Sequence, residues 1–333
     1  MQKKILIAKP KYSKFSPTGY RMLLDKGYSI IETGLERDYT LEELKALIGD
    51  VDGVIADSEP WCEEAMAAAP KLKVISRYGT GMNTVDTDAA KKRGIVCTNC
   101  PGVNANSVAE HILALMLGAV RNIVNLNRDT KEGKWNQYIF HEIAGATVGI
   151  LGFGFIGQSV AKKLTGFDCT VLACDPMPNY EAAEKTNTRI TSFDEIIEKS
   201  DIICICVPLV ADTYHWINAD SLSRTKKGVI FVSDARGPVV DEAAMTEALK
   251  KGQVAFFATD VFEHEPATPE NTPMMLLPNV IATPHNGGET YENSERCGIC
   301  TAQQVIDVFE GREPCGRRAG VHACRDNIKE TAV

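Results

Sequence analysis

The sequence predicts an α/β protein made of two doubly wound parallel sheets. Three observations lead there. Short apolar runs alternate with helical patterns, and they do so in two series; the runs of the second series are apolar throughout; and 333 residues exceed the usual size of one hydrophobic core. A strand covered by helices on both faces loses the apolar–polar alternation of a half-exposed strand.

The first series fills the first hundred residues. Its strands read KILIAK, YSIIET, GVIAD, LKVISRYG and GIVCTN, and between them TLEELKALI, CEEAMAAAP and TVDTDAAKKRG carry apolar residues at helical spacing. Next, NSVAEHILALMLGAVRNIVNLNRDTKEGKW reads as one long helix, apolar almost all round over its first half and therefore buried. The second series is TVGILGFG, TVLACD, IICICVP, GVIFVSDA, VAFFATDVF and NVIATPH. From Tyr291 the chain reads as helix and then as a polar tail. The simplest packing returns that helix to the first sheet. One domain, residues 1–102 with 289–333, is then interrupted by another, residues 103–288.

Composition narrows the function. Hydrophobic residues at 44% and charged residues at 24% describe a soluble globular protein, and a net charge of −8 argues against a general nucleic-acid binder. No run approaches a membrane span, and the apolar run in MQKKILIAKPKYSKF is too short for a signal peptide, so a cytoplasmic location is expected. Eleven cysteines are scattered, several within strand-like runs, which suits reduced buried thiols better than a disulfide framework. Two Cys-x-x-Cys spacings occur, Cys97/Cys100 and Cys297/Cys300, but the second lies in a helical pattern rather than a paired metal loop. No metal is expected.

The strand TVGILGFG runs directly into Gly152, Gly154 and Gly157, and a helix follows. That setting on both sides turns a weak GxGxxG pattern into a dinucleotide fingerprint. The first glycine permits the turn, the second lets backbone approach a pyrophosphate, and the third lets helix and strand pack closely. The helix amino end offers N–H groups to the phosphates. Asp175 closes the next strand, where a carboxylate accepts from the adenosine ribose and repels a 2′-phosphate, so NAD is expected rather than NADP.

Three later strand ends each deliver a polar group: Arg236 in SDARGP, Asp260 then Glu265 in TDVFEHEP, and His285 in ATPHNGG. Each has a plain reading of its own, as a surface salt bridge, a solvated acid and a turn histidine. Jointly, at the carboxyl ends of strands behind a dinucleotide fingerprint, they read as a site. A histidine titrating near neutrality can supply the proton that a carbonyl needs when it receives hydride. A glutamate beside it fixes the tautomer and raises its pKa. An arginine fork binds a carboxylate and polarises the carbonyl.

The ordered set SRYGTGMNTVDTDAAKKRGI, PGVNANSVAEH, GFGFIG, CVPLVADTYHWIN, ARGPVVDEAAM, DVFEHEP and TPHNGG spans nearly the whole chain. It resembles the D-isomer-specific 2-hydroxyacid dehydrogenase family. The resemblance implies a Rossmann NAD-binding domain inserted in a flavodoxin-like substrate domain, a small 2-oxo or 2-hydroxy acid as substrate, and a homodimer. It implies Arg236, Glu265 and His285 as the catalytic trio and Asp260 as the holder of the nicotinamide carboxamide. Phe155, Ile156, Val207, Pro208, Thr213, Asp234, Ala235 and Gly287 become further cofactor contacts. Thr80 and Gly81 in YGTG become a carboxylate cradle, with Asn104 on the substrate side.

Within the family the readings are a 2-oxo acid reductase or a short-form phosphoglycerate dehydrogenase; outside catalysis stands an NAD-sensing corepressor-like protein. Two positions depart from the pattern. Asp57 precedes Ser58 where phosphoglycerate dehydrogenases usually carry an arginine for the substrate phosphate, with Arg77 either compensating or a plain surface charge, and Ser233 replaces a common asparagine.

Overall fold

A computed structural model describes residues 2–37 and 39–316. The chain divides into two compact units, one running to Asn104 and resuming at Glu289, the other Ala105–Gly288. The tail from Arg317 onward lies outside the described residues.

The first unit holds five parallel strands: β1 (Lys4–Ile7), β2 (Ser29–Ile31), β3 (Gly53–Ala56), β4 (Val74–Arg77) and β5 (Val96–Thr98). Their order, β2-β1-β3-β4-β5, is the flavodoxin-like one. Ile5, Leu6, Val54, Ile55 and Val74 are fully buried, as expected for strands covered on both faces. The helix Tyr291–Phe309 belongs to this sheet through Gln304, whose Oε1 accepts from Ser76 Oγ at 2.7 Å and Thr98 Oγ1 at 2.8 Å. Its Nε2 donates to the Asn99 carbonyl at 2.7 Å. A buried amide satisfied on both sides fixes where the helix docks, because leaving it unpaired costs about 1–3 kcal/mol.

The second unit holds seven parallel strands: β6 (Thr147–Leu151), β7 (Thr170–Cys174), β8 (Thr188–Ile190), β9 (Ile202–Ile205), β10 (Val229–Ser233), β11 (Val254–Thr259) and β12 (Val280–Ala282). The order β12-β11-β10-β9-β6-β7-β8 is that of a Rossmann sheet with one added strand. It reverses between β9 and β6, which is where such sheets open a crevice for ligand. Phe231 and Phe257 lie on neighbouring strands with almost no exposure, each contributing about 1.5–3 kcal/mol by burial.

Two expectations need correction. The long helix after the first sheet is two helices, Ala105–Val120 and Ile123–Lys131, bent by 61°. Asn122, at φ 51°, takes the left-handed conformation that short polar side chains tolerate, and the helix breaks there. The strand β8 was not expected: it is three residues long, lies at the sheet edge and exposes Arg189, so it lacks an apolar run. Among the described residues no single helix is long and apolar enough to cross a membrane.

Candidate active site

All the polar groups that the sequence singles out in the second unit stand just beyond the carboxyl ends of its strands. The middle strands β6, β7 and β9 lead into Gly152, Asp175 and Val207; the flanking strands β10, β11 and β12 lead to Arg236, Asp260 and His285. The sheet order therefore places a nucleotide half beside a chemical half.

The nucleotide half begins at Gly152, at φ 93°, where a Cβ would also meet the Cys206 carbonyl oxygen at 2.7 Å. At Gly157, the first turn of helix Phe155–Leu164, a Cβ would collide with the Gly152 oxygen, so the close helix–strand approach requires glycine. Gly154 differs: nothing lies within 4 Å of its Cβ position, and it caps the helix without a side-chain hydrogen bond. An open face at a helix amino end, beside Phe155 and Ile156, fits a pyrophosphate. Asp175 accepts the Phe153 amide at 2.7 Å and the Met177 amide at 2.8 Å, so its carboxylate both shapes the glycine turn and stands at the end of β7. Beyond β9, Val207 is buried, and Thr213 Oγ1 donates to the Pro208 carbonyl at 2.6 Å, closing that loop. Ala235 is also buried.

In the chemical half, His285 Nδ1 and Glu265 Oε2 are hydrogen-bonded at 2.8 Å. The Glu265 side chain is held in turn by the Phe262 amide at 3.1 Å, and the His285 amide donates to the Asp260 carbonyl at 3.0 Å. The hydrogen bond to Glu265 raises the His285 pKa against the opposing effect of burial. Burial works to raise the Glu265 pKa, but the imidazole overcomes it and leaves the acid below its ordinary value. Arg236 is near enough to favour the ionised glutamate and oppose the imidazolium. Its Nη1 donates to the Ala235 carbonyl at 2.6 Å, and a Cβ on the following Gly237 would collide with the Phe262 backbone. The loops carrying Arg236 and Glu265 are thus packed backbone to backbone.

Asp260 is 1% exposed and organises the turn under His285. Its Oδ1 accepts from Thr283 Oγ1 at 2.6 Å and the Asn286 amide at 2.9 Å, and its Oδ2 accepts the Gly287 amide at 2.7 Å. A Cβ at Gly287 would meet Asp234 Oδ2 at 2.6 Å. Sequence reasoning missed one partner in this layer. His111, from helix Ala105–Val120, bonds Asp234 Oδ2 through Nδ1 at 2.8 Å. Burial raises the Asp234 pKa against the histidine, and the hydrogen bond to Asp234 raises that of His111. His111, Asp234 and Asp260 present metal-competent atoms within 4.8 Å of one another, though Asp260 is already engaged by three donors. Ser233 Oγ and Asp234 Oδ1 are buried without a hydrogen-bond partner.

The remaining residues belong to the first unit. Thr80 and Gly81 follow β4, and the Thr80 carbonyl accepts from Asn99 Nδ2 at 2.7 Å. Asn104 Oδ1 is buried without a partner. Arg77 is no surface charge: its side chain is 16% exposed and its Nη1 lies 3.5 Å from Asp57 Oδ1. Lys9 approaches Asp57 Oδ2 at 3.3 Å and Glu289 Oε1 at 3.5 Å. The departure at Asp57 is therefore part of a balanced ion cluster.

A Rossmann sheet with an open glycine turn, and an imidazole–carboxylate pair at its strand ends, defines a nucleotide-dependent oxidoreductase scaffold. Residues 113–287 match the family described as D-isomer specific 2-hydroxyacid dehydrogenase, NAD binding domain. A D-3-phosphoglycerate dehydrogenase of Archaeoglobus fulgidus is 38% identical over 312 residues, covering 92% of this chain. The chain spans only 58% of that relative's length. A glyoxylate reductase of Thermofilum pendens is 39% identical over 281 residues, covering 82% of this chain and 83% of that protein. The D-lactate dehydrogenase of Aquifex aeolicus, solved with NAD and lactic acid, superposes with a TM-score of 0.80 at 28% identity, covering 92% and 96% of the two chains. The chain belongs to the D-isomer specific 2-hydroxyacid dehydrogenase family, and its second unit is the NAD-binding domain.

Proposed function

We propose that the protein is an NAD-dependent D-2-hydroxyacid dehydrogenase working as a reductase of a small 2-oxo acid. The observation that carries this is the His285–Glu265 hydrogen bond at the mouth of the sheet, 2.8 Å long. When bound, NADH would supply the hydride. His285 gives the proton to the carbonyl oxygen through the nitrogen that Glu265 does not engage, and takes it back when the hydroxy acid is oxidised. Glu265 holds the tautomer and keeps the imidazole protonated to higher pH. Arg236 draws the substrate carboxylate and carbonyl by paired N–H donors, which favour the developing negative charge. Asp260 sets the turn that carries His285 and is the group that would receive the carboxamide. The amides of Thr80 and Gly81, with Asn104, are the substrate-side groups of this reading.

Two relatives pull the substrate in different directions, one toward phosphoglycerate and one toward glyoxylate. Asp57, paired with Lys9 and Arg77, favours an unphosphorylated acid. The His–Glu pair with Arg236 beside it favours an enzyme over a corepressor-like sensor. A homodimer belongs to the same proposal, supported by Trp135, Tyr138 and Ile139, which are 85%, 53% and 100% exposed on one stretch of the second unit. So does a cytoplasmic setting, supported by buried free thiols such as those of Cys100, Cys204 and Cys297. NADH consumption against a panel of 2-oxo acids tests the activity: turnover of an unphosphorylated acid supports it, and NADH binding without turnover of any acid favours the sensor.

A further inference from the structure

Resting on the reading that Asp260 receives the carboxamide, we propose that the His111–Asp234 pair sets which redox form of the cofactor the second unit prefers. The pair favours NADH while it holds a proton and NAD+ once that proton is lost. His111 comes from helix Ala105–Val120 and Asp234 from the end of β10, and Nδ1 and Oδ2 stand 2.8 Å apart. The Asp234 side chain is 2% exposed, and its Oδ1 is buried without a partner, as is Ser233 Oγ beside it. A second buried carboxylate closes in on the pair. One polar atom each of His111, Asp234 and Asp260 lies within 4.8 Å of the other two. All three converge on Gly287, where a Cβ would meet Asp234 Oδ2 at 2.6 Å, Asp260 Oδ2 at 3.2 Å and His111 Nδ1 at 3.4 Å. A metal ion is less well served there, because Asp260 already accepts from Thr283, Asn286 and Gly287, and His111 Nδ1 is spent on Asp234.

Two carboxylates shielded from water repel each other, and a proton held with His111 offsets one of them. Wherever that proton sits between Nδ1 and Oδ2, the pair is neutral with it and carries one negative charge without it. Both partners hold it strongly. The hydrogen bond to Asp234 raises the His111 pKa, and burial raises that of Asp234. The other groups facing the pair are few. Asp260 favours the proton on both partners, and His285 opposes it on Asp234. Arg236 acts on the His285 charge, and burial keeps the Cys204 and Cys206 thiols near Asp234 neutral. On the helix that carries His111, Glu110 is paired with Lys163 at 3.0 Å.

The oxidised nicotinamide ring is a cation and the reduced ring is neutral. A negative charge beside the carboxylate that holds the carboxamide therefore stabilises NAD+ and leaves NADH almost unaffected. At short range and with little water between, one such charge is worth about tenfold in relative affinity. The linkage is reciprocal: NAD+ should drive the proton off the pair, and NADH should leave it in place.

The test reads that proton directly, with no substrate and no turnover. The six histidines of the full chain are labelled with carbon-13 in the ring, and their resonances are followed with pH under saturating NADH or saturating NAD+. His111→Gln assigns the resonance; should it not fold, replacing the other histidines one at a time assigns it by elimination. The expected result is a His111 midpoint about one pH unit lower with NAD+ than with NADH, which is the same tenfold. Equal midpoints in the two complexes, or a His111 resonance that does not titrate while the protein stays folded, overturn the proposal. His285 separates the two ways of failing, since its midpoint should also differ between the complexes if the nicotinamide lies where the reading puts it. A response at His285 without one at His111 removes only the role of the pair. No response at either removes the placement of the nicotinamide as well.

Discussion

The Nδ1 atom of His285 stands 2.8 Å from Oε2 of Glu265, a residue 20 positions earlier, and each raises the cost of removing the other's charge. The pair sets a pH dependence whose sign is fixed. The His285 pKa is raised, so the protonated donor persists above its ordinary range, and reduction should decline as pH rises through that raised value. Replacing Glu265 by Gln removes the stabilising charge and lowers the imidazole pKa. The decline of kcat/KM for reduction should then begin at lower pH, with a loss of rate smaller than that of removing the imidazole. A pH–rate profile unmoved by Glu265→Gln would show that the glutamate does not govern the donor.

Asp175 is expected to make NADH bind much more tightly than NADPH. Because its carboxylate also holds the Phe153 and Met177 amides, Asp175→Ala should act twice. Loss of repulsion improves NADPH, while loss of charge-assisted bonds of about 1.5–3 kcal/mol loosens the glycine turn and weakens NADH by about tenfold or more. Fluorescence titration of both cofactors measures it. Equal affinities in the unmodified protein would remove the assignment.

Asp57 and Glu289 together offset Lys9 and Arg77, so 3-phosphohydroxypyruvate should not be preferred over hydroxypyruvate. Asp57→Ala leaves Arg77 without its carboxylate and Lys9 with Glu289 alone. The ratio of kcat/KM for the phosphorylated to the unphosphorylated acid should then rise about tenfold, since one partly buried charge is worth about 1–4 kcal/mol at short range. A wild-type ratio of a hundredfold in favour of the phosphorylated acid would contradict this.

The exposed Trp135, Tyr138 and Ile139 should be covered by a second copy. Sedimentation at micromolar concentration should show a dimer, and Trp135→Ala with Ile139→Ser should shift it toward monomer. A wild-type species near 36 kDa alone would argue otherwise.

Much of this was legible in the sequence because buried parallel strands leave continuous apolar runs, and because glycine at 152, 154 and 157 sits between a strand and a helix. What was not legible has physical reasons. The edge strand β8 makes no apolar run. Asn122 breaks a helix by a backbone conformation that the helical pattern around it does not reveal. His111 meets Asp234 across 123 residues, and Cys100 joins Cys297 and Cys300 in one apolar cluster although a whole domain separates them in sequence. Such pairings depend on sheet order, and local spacing does not carry it.

The central claim is that His285 moves the proton, and turnover of His285→Ala on the best 2-oxo acid tests it most directly, with Arg236→Ala alongside. The account predicts a loss of about 10²–10⁴-fold in kcat for His285→Ala, the scale of a positioned acid/base, with NADH affinity nearly unchanged. Arg236→Ala should damage KM and kcat together, since that side chain acts on both ground state and transition state. Near-wild-type turnover by His285→Ala, with Arg236→Ala impaired, would contradict it and leave His285 as a turn residue at φ 56°.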